Sequence, residues 1–429
     1  MNIAYISLGC PKNEIDLEYI LGSLDDRYNI VKTLDDADVV IINTCAFIDT
    51  AKQESIDNIL FSLQKKKDNP DFKVLVSGCL PQRYKDELKE EISQVDEFFT
   101  SNDIILTIQQ LHKYFKSHVK TTVKRARITP EHYAYLKIAD GCNNRCSYCA
   151  IPSIKGVYKS RPFQDIINEA LYLVDNGVKE LLIVAQDTTL YGHDLGYKKN
   201  LSDLLVSLND MTGLEWIRLL YTHPAHWSER LIETVAGLDK IVKYVDLPIQ
   251  HISDRLLKRM GRKVTSAQIK NLIEKLRKNI PDLALRTSVI TGFPGETENE
   301  FQELLMFIDD IRFERLGTFA YSHEENTRAY TFDDDVPQKI KLQRQREIME
   351  HQSHISYLNN NGLIGKTINV IIDEVDKYNN YSFGRTQWDA PDIDNDVIIP
   401  STVKVGFIYK IKVVSAEKFD LHGDILNVN

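Results

Sequence analysis

The sequence predicts an α/β protein with three parts: an amino-terminal doubly wound parallel sheet, a central partial β/α barrel and a carboxyl-terminal small β-barrel. Three observations lead to this prediction. The chain has 429 residues, more than one ordinary core organises. Strand-like and helix-like segments alternate over most of its length, which is typical of parallel sheets. The last stretch holds only short strand-like segments separated by turns, as in small barrels.

The first domain is assigned to residues 1–115 and contains three strand-like runs that each lead into a cysteine. The runs are NIAYISLGC, ADVVIINTC and FKVLVSGC, which end at Cys10, Cys45 and Cys79. In an open parallel sheet, ligands bind outside the carboxyl ends of the strands, so these cysteines are expected to converge at one edge. Cysteine is also a common buried residue, and chance placement is the alternative. The shared strand-then-turn pattern favours a metal centre with an open position.

Helix-like segments separate these runs. EIDLEYILGSL follows the first, and TAKQESIDNILFSLQKKK follows the second. In the latter, Thr50 is predicted to be the N-cap, and Ile56, Ile59, Leu60 and Leu63 are predicted to share one face.

Residues 116–132, KSHVKTTVKRARITPEH, are assigned to a linker because they are polar, basic and without clear periodicity. Their charge could touch nucleic acid, but a solvated connector is the favoured interpretation.

The central domain is assigned to residues 133–360, where longer units of the same kind recur. Its strand candidates are YAYLKI, ELLIVA, WIRLLY, KYVDLPI, LALRTSVI and RLGTFAY. About six such units in one domain indicate an open or partial β/α barrel, whose chemistry collects at the carboxyl ends of the strands. A long helical pattern, PQKIKLQRQREIMEHQSHISYLNN, then leads out of the barrel.

Residues 361–429 are assigned to a small β-barrel of the kind that often binds oligonucleotides. Its strand-like pieces are GKTINVIIDEV, SFGRTQWDAP, DNDVIIPS and GFIYKIKVVSA. The segment carries 10 Asp and Glu against 7 Lys and Arg. An acidic barrel is a poor surface for a phosphate backbone.

The composition describes a globular protein, with 43% apolar and 27% charged residues. A net charge of −9 argues against a dedicated nucleic-acid binder. No export signal or membrane-length apolar run is recognised, so a cytoplasmic location without a membrane partner is expected. In that setting six cysteines indicate metal binding or catalysis more than disulfides.

The stretch ADGCNNRCSYCAIP places Cys142, Cys146 and Cys149 at C-x3-C-x2-C spacing. A structural zinc site closes its shell with four protein ligands, usually in two halves, and no second half follows here. Thiolates select soft centres, either zinc or iron–sulfur clusters. Three thiolates on a four-iron cluster leave one iron with a vacant position for substrate or cofactor.

This loop, with Tyr148 before its last cysteine, resembles the cluster-binding loop of radical S-adenosylmethionine (SAM) enzymes. The resemblance implies a [4Fe-4S] cluster whose unique iron chelates the amino and carboxylate groups of SAM. In that superfamily one electron from the cluster cleaves the sulfonium, and the resulting 5′-deoxyadenosyl radical abstracts hydrogen from an unactivated carbon.

The resemblance narrows to the radical SAM methylthiotransferases and covers essentially the whole chain. It implies an amino-terminal domain with an auxiliary [4Fe-4S] cluster held by Cys10, Cys45 and Cys79, a radical SAM core and a TRAM-like barrel. All six cysteines are then used. One SAM molecule would methylate the sulfur and another would supply the radical, so the expected cofactors are two [4Fe-4S] clusters and SAM.

Three segments resemble the branch that modifies the β-carbon of an aspartate in small-subunit ribosomal protein twelve. They are SLGCPKNEIDLE, where the tRNA branch carries a GCQMN-like sequence, AQDTTLYG and GRTQWDAPDID. The acidic barrel agrees, because it would steer a basic ribosomal protein. The alternatives are a tRNA adenosine methylthiotransferase and a zinc-stabilised adaptor that binds RNA or ribosomes. The further expected partners are a sulfur source and an electron donor such as a flavodoxin or ferredoxin.

Four residues outside the cysteines are expected to contact SAM: Tyr148, Gln250, Gly292 and Gly295. The glycines lie in GFPGETENEF, which by resemblance approaches the adenosine, although a plain tight turn is an alternative. Gln250, followed by His251, comes after the strand KYVDLPI, and ordinary packing at the strand end is equally open. No catalytic proton-transfer residue is identified.

Three further features are weighed against ordinary structural roles. Where many radical SAM enzymes carry Gly-Gly-Glu, the chain has Gln186 and Asp187, which leaves the contact to the methionine amino group unassigned. His223 and His226 form an H-x2-H pair, but the intervening proline on a loop disfavours a metal site. Arg161 is a candidate partner for a carboxylate of cofactor or substrate, or a surface residue.

Overall fold

The computed structural model describes residues 1–100, 103–117, 125–196 and 199–426. They form a five-stranded sheet, a six-stranded sheet and a closed five-stranded barrel, together with one two-stranded sheet. No helix among these residues is long and apolar enough to cross a membrane.

The amino-terminal sheet is entirely parallel, with helices on both faces. Its strand order is β2-β1-β3-β4-β5. The strands are β1 Asn2–Ser7, β2 Asn29–Ile30, β3 Val39–Thr44, β4 Lys73–Gly78 and β5 Glu97–Phe98, and the helices are α1 Pro11–Ser23, α2 Asp49–Asp68, α3 Cys79–Arg83, α4 Lys85–Glu91 and α5 Ile104–Tyr114. Successive residues of β3 pack into different clusters on the two faces, which explains why the strand reads as one apolar run.

Helix α2 differs from its prediction at two points. It begins at Asp49, and its N-cap is Ile48, so Thr50 lies inside the helix. Leu60 is 46% exposed, whereas Ser55 and Ile59 are buried. The Ser55 hydroxyl lies in the buried face because it exchanges hydrogen bonds with the backbone of Cys45, a contact that hydrophobic periodicity does not register.

The central sheet is the predicted partial barrel: six parallel strands in the order β13-β12-β11-β10-β9-β6, open at both edges. Strands β7 and β8 form a separate antiparallel pair. The strands are β6 Tyr133–Lys137, β7 Ala139–Asp140, β8 Lys159–Ser160, β9 Glu180–Val184, β10 Trp216–Leu219, β11 Ile241–Asp246, β12 Ala284–Thr291 and β13 Arg315–Ala320. The helices are α6 Ile151–Lys155, α7 Phe163–Asp175, α8 Leu201–Asn209, α9 Glu229–Gly237, α10 Asp254–Arg259, α11 Ser266–Asn279, α12 Glu298–Ile311 and α13 Gln338–Asn361. The largest apolar core lies between this sheet and its helices.

The carboxyl-terminal barrel closes in the order β14-β15-β16-β18-β17, with β17 paired to β14. Its strands are β14 Thr367–Asp376, β15 Tyr381–Thr386, β16 Val397–Ile399, β17 Ile408–Ala416 and β18 Leu421–Ile425. The sequence did not predict β18, a five-residue strand that completes the barrel.

The segment GRTQWDAPDID fastens the barrel to the core. Asp389 accepts a hydrogen bond from Arg315 Nε at 2.7 Å, and Asp394 accepts one from Tyr244 Oη at 2.7 Å. Arg385 forms an ion pair with Glu180 at 2.8 Å. These contacts cover the face of the six-stranded sheet that carries Tyr133, Leu182 and Tyr244.

This docking changes the charge that the barrel presents to solvent. Asp373, Asp389 and Asp394 are ion-paired with core residues or with Arg385, and Arg385 is itself buried. Of the 10 acidic and 7 basic residues in the segment, 7 acidic and 6 basic remain outside these pairs. The barrel surface is therefore nearly balanced, which removes most of the acidic steering expected from the sequence.

Part of the expected linker is not solvated. Arg125 is buried and donates hydrogen bonds to Glu18 of the first domain and Glu169 of the core, at 2.8 and 2.7 Å. Removing one partner from such a buried network typically costs about 3–5 kcal/mol. The network therefore joins the first two domains, while residues 118–124 of the linker lie outside the described residues.

Candidate active site

The first three cysteines stand where the sequence predicts, directly beyond the carboxyl ends of β1, β3 and β4. Cys10 is the N-cap of α1, and Cys79 begins α3. Gly9, at φ +90°, allows the close approach of Cys45, because a Cβ there would lie 2.6 Å from the Cβ of Cys45. The three strand ends therefore gather Cys10, Cys45 and Cys79 into one triad.

The side chain of Asn13 forms hydrogen bonds with three segments around this triad. Its Nδ2 donates to the carbonyl oxygens of Leu8 and Thr44 at 3.2 and 2.9 Å. Its Oδ1 accepts from Cys79 Sγ at 3.6 Å. Asn13 thus ties the turn after β1 to the end of β3 and contacts one thiol directly.

Burial and mutual repulsion make Cys45 and Cys79 poor acids on their own. Burial raises the pKa of Cys79 to about 12 in spite of the nearby Lys155, and the charges of Cys10 and Cys45 add to the rise. Burial also raises the pKa of Cys45, and Cys10 contributes. Metal ligation requires thiolates, so a cationic centre would supply the compensation that the site lacks.

The second triad lies on the loop after β6 and β7. Gly141, at φ +67°, packs so closely on the Val157 carbonyl that a Cβ would lie 2.1 Å from the oxygen. Cys142 N donates to Gly156 O at 3.1 Å, and Ser147 N donates to Met260 O at 2.7 Å. The loop is therefore fixed to two separate segments of the core.

The second triad has the same electrostatic character as the first. Burial raises the pKa of Cys149 to about 12 and that of Cys142 to about 11, and in both cases the charge of Cys146 adds to the rise. The buried guanidinium of Arg262 lies 3.7 Å from Cys146 Sγ. It is placed to offset negative charge at that ligand.

The donor sets fit iron–sulfur clusters. All six cysteines are free of disulfides, and each triad offers three soft thiolates without a fourth cysteine. Three-thiolate ligation leaves an open position on a four-iron cluster. Cys142, Cys146 and Cys149 would hold such a cluster, which would supply the electron that cleaves SAM.

The segment that follows the second triad packs against the first domain beside Cys79. Ala150 and Ile154, which follow the second triad, belong to the same apolar cluster as Cys79 and Leu80 of the first domain. Asp16 on α1 forms ion pairs with Lys137 and Lys155 of the core. The carboxyl edges of the two sheets therefore meet around the cysteines.

Lys12 and Tyr221 line this meeting point, and the sequence did not single out either residue. The Lys12 ammonium lies 3.4 Å from the centroid of the Tyr221 ring. Burial alone would lower the pKa of Lys12, but Tyr221, Cys10, Asp140 and Asp246 raise it above its usual value. The sequence could have indicated Lys12 as a site residue, because it is two residues from Cys10. The left-handed backbone of Tyr221, at φ +56°, leaves no such signal in sequence.

Tyr148 and Gln250, two of the expected SAM contacts, border the second triad or the same sheet edge. The Tyr148 ring makes an edge-to-face contact with Phe293, with centroids 6.5 Å apart. Gln250 has φ +74° and bridges to Val289 of β12. Strained backbone of this kind concentrates at functional sites. Contact of either residue with SAM stays a prediction.

Gly292 and Gly295 have partners inside the protein. The Gly292 amide donates to Glu296 Oε2 at 2.9 Å, and the Gly295 amide donates to Asp335 Oδ1 at 2.6 Å. A Cβ on Gly292 would lie 2.2 Å from Lys341 Cγ. Packing of the turn therefore accounts for Gly292, and left-handed backbone at φ +82° accounts for Gly295, so contact of either residue with SAM stays a prediction.

Asp187, His223 and His226 come together at the ends of β9 and β10, with their nearest ligand atoms within 4.8 Å of one another. Asp187 accepts hydrogen bonds from Asn144 Nδ2 at 2.7 Å and from Thr189, and it contacts His226 Nδ1 at 2.8 Å. Burial, together with the charge of Arg262, lowers the pKa of His223 to about 2. The group ties the cysteine loop, through Asn144, to the sheet edge.

Arg161 takes neither role proposed from the sequence. Its Nη2 lies 2.6 Å from Glu169, and its Nη1 donates to Lys137 O at 2.6 Å. The carboxylate that pairs with Arg161 is therefore Glu169 of the protein itself, and not a carboxylate of cofactor or substrate.

Comparison with known families accounts for most of the chain. The radical SAM superfamily matches residues 136–308, the TRAM domain matches 364–426, and an uncharacterized family, UPF0004, matches 2–100. A solved structure of the radical SAM methyltransferase TsrM from Kitasatospora setae, with cobalamin and a [4Fe-4S] cluster bound, has a TM-score of 0.57 at 14% identity and covers 74% of each chain. That likeness concerns the fold.

Two curated relatives are much closer in sequence, and both are called ribosomal protein uS12 methylthiotransferase RimO. The protein from Christiangramia forsetii is 45% identical, over 99% of this chain and 94% of its own. The protein from Thermosipho africanus is also 45% identical, over 99% of this chain and 100% of its own.

The fold and the C-x3-C-x2-C loop define a radical SAM enzyme, with SAM and [4Fe-4S] clusters as its cofactors. Within that class, the chain belongs to the RimO family of methylthiotransferases.

Proposed function

We propose that this enzyme methylthiolates the β-carbon of an aspartate in uS12, the small-subunit ribosomal protein twelve, with two [4Fe-4S] clusters. One cluster is held by Cys142, Cys146 and Cys149 and binds SAM; the other is held by Cys10, Cys45 and Cys79 and presents the sulfur. The observation that carries the proposal is that two three-cysteine sites lie at sheet edges that pack together, in a chain 45% identical to uS12 methylthiotransferases.

The division of labour follows from where the protein groups lie. We assign residues 1–115 to the sulfur-presenting domain, 133–360 to the radical SAM core and 361–429 to the barrel. Asn13 and Arg262 orient and balance the two sets of thiolates. The surrounding buried residues exclude water, which protects a radical from quenching. The reaction takes place where ribosomal proteins are found, in the cytoplasm.

The test is to incubate the anaerobically reconstituted enzyme with recombinant uS12, SAM, sulfide and dithionite. Peptide mass spectrometry is expected to find a methylthio group on one aspartate of uS12. An unmodified uS12 accompanied by a modified adenosine in tRNA, offered in a parallel reaction, would transfer the assignment to the tRNA branch. The parallel reaction with tRNA is necessary because the surface of the barrel is nearly neutral, so its charge does not argue against an RNA substrate. Colourless protein with zinc and without iron would favour the adaptor.

We further propose that a small acidic redox protein of the flavodoxin or ferredoxin type delivers the electron beside the second triad. Four exposed cations, Arg145, Lys258, Lys263 and Arg328, line an open pocket of about 580 Å³ next to the cysteine loop. None of the four forms an ion pair with another described residue. In a chain of net charge −9, this patch would attract an acidic partner.

Reversing two of these charges, in the variant Lys258→Glu with Lys263→Glu, is expected to slow SAM cleavage driven by the acidic protein by about tenfold or more, relative to cleavage driven by dithionite. The cause is lost electrostatic attraction, so the effect should shrink at high salt. Anaerobic assays of 5′-deoxyadenosine measure both rates. Lys410→Glu, on the barrel, is the matched control, and an equal loss in that variant would rule out the docking patch.

A further inference from the structure

Lys12 is a buried cation with no ion-pair partner among the described residues. Three lysines are buried among the described residues, and two of them, Lys137 and Lys341, are ion-paired with aspartates. Lys12 is 7% exposed, and it forms no ion pair or hydrogen bond with any residue that the structure describes. Its recorded contact is the face of the Tyr221 ring at 3.4 Å. The surrounding charges that raise its pKa offset the cost of burial, but no described carboxylate pairs with this ammonium directly, so it can still bind an anionic group of a ligand.

The nearby carboxylates are occupied by other groups. Asp140 pairs with Lys137 at 2.8 Å and accepts from the Gly141 amide. Asp246 accepts from the Tyr221 amide at 2.8 Å and pairs with Arg286 at 3.1 Å. These two carboxylates therefore have other partners, and neither forms an ion pair with Lys12.

Lys12 lies where an element of the first domain meets an element of the core. It follows Cys10 by two residues, on the first turn of α1. Its ammonium lies over the ring of Tyr221, which follows β10. In the six-stranded sheet, only β9 separates β10 from β6, the strand that precedes the loop with the second triad. Tyr221 holds that ring with left-handed backbone at φ +56°, and its carbonyl accepts from the Thr188 amide at 3.1 Å. Strain held by surrounding hydrogen bonds is characteristic of ligand-binding positions.

We propose that Lys12 binds the side-chain carboxylate of the substrate aspartate and so holds its β-carbon between the two cysteine triads. This inference rests on the proposed function. The carboxylate carbon is bonded directly to the β-carbon, so anchoring the carboxylate leaves a single torsion to orient the reacting C–H bond. A planar adenine offers no such anion, which makes Lys12 a determinant of specificity as well as of binding.

The test compares recombinant uS12 with its variant in which the target aspartate is asparagine, binding to the full-length reconstituted enzyme with SAM and no reductant. The wild-type enzyme is expected to bind the aspartate form about tenfold to a hundredfold more tightly, as for a buried hydrogen bond between charged groups. Lys12→Met, which keeps the length and removes the charge, is expected to bind both forms equally. Lys12→Arg should recover part of the preference.

Each alternative has its own outcome. If Lys12→Met retains its iron and sulfide and still prefers the aspartate form, the inference is overturned. If its affinity for SAM falls while the preference persists, Lys12 binds the cofactor's carboxylate instead. A purely structural role would weaken both uS12 forms equally and leave their ratio unchanged, which also overturns the inference. Failure of the wild type to modify uS12 is a failure of the proposed function, and it is read without any variant.

Discussion

Alanine at Cys142, Cys146 or Cys149 is expected to abolish the reductive cleavage of SAM. Each change removes one of three thiolates on a loop that is held at both ends, so no other cysteine can move in to replace it. Even changes around a metal's ligands cost up to about 100-fold, and loss of a ligand should exceed that. The measurement is 5′-deoxyadenosine formed with dithionite under anaerobic conditions.

Metal content gives the structural control for this prediction. Wild-type protein should hold about eight irons and eight sulfides per chain, and each of these variants about four, because the first triad is untouched. Normal SAM cleavage by Cys146→Ala would contradict the assignment. Loss of all iron in that variant would mean that the two sites do not form independently.

Alanine at Cys10, Cys45 or Cys79 is expected to stop methylthiolation of uS12 while SAM is still cleaved. These cysteines belong to a separate sheet, and the loop with the second triad is anchored within the core, to Gly156 and Met260. The variants should again keep about four irons per chain. Products are separated by measuring 5′-deoxyadenosine and the mass of uS12 in the same reaction.

The two sets of variants are matched controls for one another, since each removes one thiol and leaves the other triad intact. A Cys79→Ala enzyme that forms the methylthio product would show that the first triad does not deliver sulfur. Equal loss of SAM cleavage in both sets would point to a single cooperative site. The predicted pattern is cleavage without product in one set and neither activity in the other.

The strands of this fold could be predicted from the sequence where a local hydrophobic pattern determines them. Five of the six core strands and the three strands before Cys10, Cys45 and Cys79 lie where apolar runs predicted them, and β11 begins two residues before its predicted run and ends three residues before the end of that run. Parallel strands buried on both faces read as continuous apolar segments, and their carboxyl ends share an edge. The convergence of each cysteine triad therefore follows from sequence order alone.

The failures have a common cause in contacts between distant segments. Leu60 is exposed and Ser55 buried because the end of β3 supplies hydrogen bonds to the Ser55 hydroxyl. Arg161 meets Glu169 and Arg125 meets Glu18, and neither partner is marked by composition or spacing. The same applies to Asp389, which counted as surface charge in the sequence and is 1% exposed in the fold.

By itself, the sequence determined the class of chemistry. Three cysteines at fixed spacing and three at strand ends indicate two three-thiolate sites from residue type and position along the chain alone. Only the tertiary structure decided the electrostatics of the site. It paired three acids of the barrel, occupied Asp140 and Asp246, and left Lys12 buried without an ion-pair partner among the described residues. The physical reason is that the energy of a charge depends on burial and on its nearest partners, and both are set when separate sheets pack together.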